Sequence, residues 1–271
     1  MQQKIKTALA IPLVVAIAMF VAIAGAFLGS GALGGTSVQN AADGWLGADS
    51  TPLAPGVGAF SIWSVIYLGL AVYGVWQLGA GARSSVTQTR LRPLAAASAL
   101  LNALWLAVVQ GGWLGISVLV MLALLLVLIR MFMLMTRQPM ARAAECWIMW
   151  LTFGPYLGWV SVATLANIAA WLASRGVGSG AAWAEPTAVV LIIVAVLIGA
   201  GTVLYARGRV WPALAMVWGI GWIGVGRSDG ALSSETLALS AFIGAGTLLV
   251  FTLAAGVKLT ADRRRTTEVA A

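Results

Sequence analysis

Residues 151–172, LTFGPYLGWVSVATLANIAAWL, decide the fold. The stretch carries no charged residue, and at about 1.5 Å per helical residue it is long enough to cross a bilayer core of about 30 Å. Within it, Tyr156, Trp159, Ala163 and Asn167 recur at helical spacing and therefore share one face. Gly154 and Gly158 form a GxxxG pair, and Pro155 lies between them, so the spacing predicts a closely packed and locally irregular helix. The face admits two readings. It is either a packing seam, in which Ala163 permits close approach and Asn167 supplies an interhelical hydrogen bond, or the wall of a binding site.

Composition extends the conclusion to the whole chain. Hydrophobic residues make up 61% and charged residues 9%, a balance that 271 residues could not bury in a water-soluble domain. The class is all-α, polytopic and membrane-embedded, with the lipid bilayer as its first partner. The net charge of +8 resides in basic residues scattered through short connecting segments, not gathered on one face, so no nucleic-acid partner is expected. Cys146 is the one cysteine and there is no histidine. That excludes an internal disulfide, a structural zinc site, a His-ligated haem and a His proton relay, and no metal site or catalytic set is expected. The eight Asp and Glu residues can each be placed in a loop, a tail or a helix end, so ion-coupling charges inside the membrane are not expected.

Eight apolar segments are legible: about 8–28, 60–78, 94–110, 113–133, 146–173, 187–206, 210–225 and 237–257. The first is too long for the apolar core of a secretory leader and reads as a retained helix. Residues 29–58 form a long connection rich in Gly, Ser, Asp and Pro, the kind of loop that caps a site. The second segment places Trp63, Tyr67, Leu70 and Gly74 on one face, and the third places Asn102 and Trp105 together. A buried Asn in lipid needs a partner, worth about 0.6–2 kcal/mol. In the seventh, Trp211, Trp218 and Trp222 again share a face.

With eight crossings and the N-terminus inside, all of the 16 Lys and Arg residues except Arg175 and Arg227 fall on the cytoplasmic side. Both termini are then cytoplasmic, in a multi-pass membrane protein of a bacterial plasma membrane. Depth counted along the helices brings Trp63, Tyr67, Trp105, Asn167, Trp218 and Trp222 into the outer half, with Trp159 near the middle. The expected picture is an outward-facing aromatic pocket under the long loop.

Three motifs in this order, FSIWSVIYLGLAVYGVW, LNALW and PYLGWVSVATLAN, resemble the tryptophan-rich sensory protein family, also known as the TspO or translocator protein (peripheral benzodiazepine receptor) family. The resemblance covers about residues 55–173 and leaves the segments from about Glu185 onward outside it. It implies a TspO-like five-helix transmembrane domain over 1–180, followed by a three-helix extension over 181–271 with a short basic cytoplasmic tail. It also implies a receptor or sensor that binds a planar hydrophobic ligand such as a porphyrin. The ligand-binding positions carried over are Trp63, Tyr67, Asn102, Trp105, Tyr156, Trp159, Ala163 and Asn167. No cofactor is required beyond a porphyrin ligand, a homodimer is compatible with the family, and porphyrin breakdown is a minor alternative to simple binding. The competing functions are an uncoupled transporter or exporter of a small hydrophobic metabolite, and a regulatory membrane scaffold.

Overall fold

The structure is a computed structural model. It describes residues 2–29, 36–138, 140, 142–178 and 180–269, with the side chains at 2–8, 28, 29 and 263–269 outside the description. Lys4, Lys6 and Arg263 to Arg265, which entered the charge count, therefore lie outside the described side chains. So does the part of the first connection at 30–35.

The described residues form helices and turns without a strand. The helices are α1 (Gln2–Gly29), α2 (Ile62–Trp76), the single turn α3 (Ala80–Arg83), α4 (Val86–Gln110), α5 (Leu114–Arg137), α6 (Ala143–Ser174), α7 (Ala184–Tyr205), α8 (Trp211–Ser228) and α9 (Glu235–Val269). Seven of them are long and apolar enough to cross a membrane among the described residues, which makes this an all-α polytopic membrane protein. The long helix outside that set is α8, which the sequence reading counted as an eighth crossing. Its Trp, its Gly and Arg227 lower its mean hydropathy, and it can carry them because Pro212, Ala213, Met216, Gly219, Ile220 and Ile223 are buried in protein. By contrast, Val190, Leu197 and Leu204 on α7 form an exposed stripe seven residues apart, and so do Ile243, Val250 and Val257 on α9. Apolar stripes of this kind are left for lipid to cover.

Packing divides the chain into two compact units: residues 1–43 with 61–153, and residues 44–60 with 154–271. The division passes through α6 at Gly154. In the first unit, α1 packs on α2 and α4, and α4 packs on α5. Small residues set the spacing between α1 and α4: a Cβ built on Gly25 would lie 4.0 Å from Cβ of Ala103. In the second unit, α8 lies against both α7 and α9. Its approach to α6 depends on the GxxxG pair, because a Cβ on Gly154 would come within 2.5 Å of Cβ of Trp211, and one on Gly158 within 2.0 Å of the Pro212 carbonyl oxygen.

Two local expectations are corrected. The segment 143–174 is one continuous helix through Pro155, without the predicted irregularity. The third long helix begins at Val86 and not near residue 94, because Ser85 caps it by accepting a hydrogen bond from the Gln88 amide at 3.3 Å. Arg92, read as part of a solvated connection, is consequently a buried helical residue.

Candidate ligand-binding site

The first unit brings four of the sequence-predicted residues together. α2 carries Trp63 and Tyr67 one turn apart, and their rings stack with centroids 5.4 Å apart and planes inclined by 19°. Trp105 of α4 lies against the same indole of Trp63, 6.4 Å away and inclined by 26°. Phe27 of α1 closes the group on Tyr67 at 6.0 Å. Asn102 donates from Nδ2 to the Tyr67 hydroxyl at 3.1 Å, which fixes the orientation of that ring. Its Oδ1 is buried without a hydrogen-bond partner among the described residues. A buried acceptor left unpaired costs about 1–3 kcal/mol. Trp105 and Asn102 are buried, whereas Trp63 and Tyr67 are half-buried and accessible.

The other four residues lie on α6 in the second unit. Tyr156, Trp159 and Asn167 are buried and Ala163 is partly exposed. Phe60 stands edge-on to Trp159, with ring centroids 5.9 Å apart and planes at 73°. The indole is thus already in an aromatic contact of the protein's own.

The second half of the long connection is stitched to α8. The Gly56 amide donates to the Trp222 carbonyl at 2.8 Å, and Trp218 Nε1 donates to the Ala59 carbonyl at 3.1 Å. The ring of Trp222 occupies the space where a Gly58 side chain would stand, 2.1 Å from a built Cβ. The Trp face of α8 therefore holds the connection, and glycine at 58 is required by close approach.

Sequence reasoning missed a polar cluster in the first unit. Glu145, in the first turn of α6, is buried, and its Oε1 accepts from Ser85 Oγ at 2.7 Å and Gln88 Nε2 at 3.0 Å. Tyr73 donates to Gln88 Oε1 at 3.0 Å. Arg92 donates to Gln77 Oε1 at 3.0 Å and to the Ala82 carbonyl at 2.7 Å, while Gln77 Nε2 reaches the Pro12 carbonyl of α1. Glu145 is at a helix end, as expected of the acids, and that end is buried. The Ser85-x-x-Gln88 capping pattern, with Gln88 and Arg92 one turn apart, was the available signal.

A family model described as TSPO-like protein matches residues 10–254. The match includes all of α7 and α8 and much of α9, so the last three helices, which the motifs left outside the resemblance, lie within it. No curated protein and no solved structure matches the chain.

Proposed function

The chain belongs to the TSPO-like protein family, and on that premise we propose that it is a membrane receptor or sensor for a planar apolar ligand, a porphyrin in the first instance. The observation that carries this reading is the cluster of Trp63, Tyr67 and Trp105 beside the unpartnered Oδ1 of Asn102. Near-parallel rings offer a stacking surface worth about 1–3 kcal/mol per stacked ring system, by analogy with base stacking. The pyrrole N–H or carboxylic O–H of a free-base porphyrin is a donor of the kind Oδ1 lacks. Binding of this type needs no axial metal ligand, which suits a chain without histidine. Tyr156, Trp159, Ala163 and Asn167 enter the proposal through motif resemblance; a guest at Trp159 has to share the ring with Phe60 or displace it.

The proposed orientation puts both termini in the cytoplasm of a bacterial cell, with α8 as a crossing helix and the connection at 36–60 outside. The distribution of Lys and Arg supports it. With Cys146 replaced by Ser, a cysteine at Asp43 should react with an impermeant maleimide added to whole cells, and one at Arg137 should not.

The function is tested by titrating purified protein in dodecyl maltoside with protoporphyrin IX and following quenching of tryptophan fluorescence. Saturable quenching at one equivalent is expected. Quenching that rises linearly, as it does for porphyrin dissolving in the micelle, would contradict the reading.

A further inference from the structure

The second unit contains a cavity of about 690 Å³ that involves none of the eight residues above. It opens at one end of the unit, between Asp49–Leu53 of the long connection, the last turns of α6 and the first turns of α7, with Leu232 and Leu237 closing the side before and within α9. Its volume is in the range that encloses a drug-sized molecule. Leu165, Leu172, Ala188 and Leu191 give it an apolar wall, and the charged side chains that line it are Asp49 and Glu185, both acidic.

Arg227, buried on α8, is not part of the lining; it donates to the Leu232 carbonyl at 3.1 Å and to the Ala48 carbonyl, next in sequence to Asp49. Glu185 accepts from Ser234 Oγ at 3.0 Å. An apolar chamber whose charged lining residues are both carboxylates favours an apolar body that carries a positive charge. A porphyrin with two propionates has the wrong sign for it.

We propose that this cavity is a second binding site, selective for lipophilic monocations such as protonated or quaternary amines, with Glu185 as the charge-recognising residue. The site is independent of porphyrin binding at the aromatic cluster. It also gives α7 a role, since Ala184, Glu185, Thr187, Ala188 and Leu191 line it, with Leu237 alone from α9.

The test uses the full chain in dodecyl maltoside with tritiated tetraphenylphosphonium, read by scintillation proximity. Saturable binding is expected for the wild type. Glu185→Gln keeps the hydrogen bond to Ser234 and removes the charge, and Ala184→Trp fills the mouth; each should weaken binding at least tenfold, about 1.4 kcal/mol. Thermal melting verifies that both variants fold, whether or not the protein binds porphyrin. Protoporphyrin IX should fail to displace the probe. Displacement by phosphatidylcholine but not by phosphatidylglycerol would identify the natural cation as a lipid headgroup, and displacement by neither would leave a free amine; both agree with the proposal. Absence of saturable binding, an unchanged affinity in folded Glu185→Gln, or displacement by protoporphyrin would each overturn it.

Discussion

The first unit contains two buried polar clusters, and they differ in one respect. Around Glu145, the side chains of Tyr73, Gln77, Gln88 and Arg92 each find a protein partner, and hydrogen bonds join α1, α2, the α3 turn, α4 and the start of α6. Around Trp63 and Tyr67, Asn102 uses its donor and leaves its acceptor unpaired. A satisfied network ties helices together and has no capacity left for a guest. The incomplete one carries a standing cost that a ligand would relieve. On the proposed reading, the difference separates a structural lock from a ligand site.

Breaking the lock should have the largest effect. Arg92→Leu strands the buried Gln77 oxygen and the Ala82 carbonyl, each at about 1–3 kcal/mol, so a loss of about 2–5 kcal/mol is expected, read as a large drop in melting temperature in dodecyl maltoside. An unchanged melting temperature would place Arg92 outside any structural role. Asn102→Leu should cost much less, about 0.6 kcal/mol, because it removes the bond to Tyr67 together with the penalty of the unpaired Oδ1. The same variant should lose porphyrin affinity, which Glu145→Gln should retain. A large stability loss in Asn102→Leu would make it a second lock and erase the contrast. Tyr67→Phe keeps the stacked ring but leaves the buried Asn102 amide with neither of its hydrogen bonds, so it should cost about 1–3 kcal/mol, more than Asn102→Leu.

The aromatic cluster was legible in the sequence because helical spacing places Trp63 and Tyr67, and separately Asn102 and Trp105, on single faces, and apolar helices have to bury such faces. The lock was not legible. Gln77, Gln88 and Arg92 lie where polar residues resemble a solvated connection, and the cap at Ser85 extends α4 far enough back to make Gln88 and Arg92 buried helical residues. Pro155 misled for a related reason. A proline signals a break in a helix taken alone, whereas α6 runs unbroken beside α8, whose approach at Gly154 and Gly158 leaves no room for a bulge. The acidic cavity was equally out of reach, since Asp49 and Glu185 are more than a hundred residues apart and nothing in their local sequences pairs them.

The central claim is that the rings around Trp63 form a stacking surface for a planar ligand, and it is tested most directly by the affinity for protoporphyrin IX of Trp63→Ala against Leu126→Ala, a variant at an exposed position of α5. The account predicts that Trp63→Ala weakens binding at least tenfold, about 1.4 kcal/mol, while Leu126→Ala binds as the wild type does. Equal affinities for all three proteins, with Trp63→Ala folded, would contradict it and leave Trp63 a packing residue.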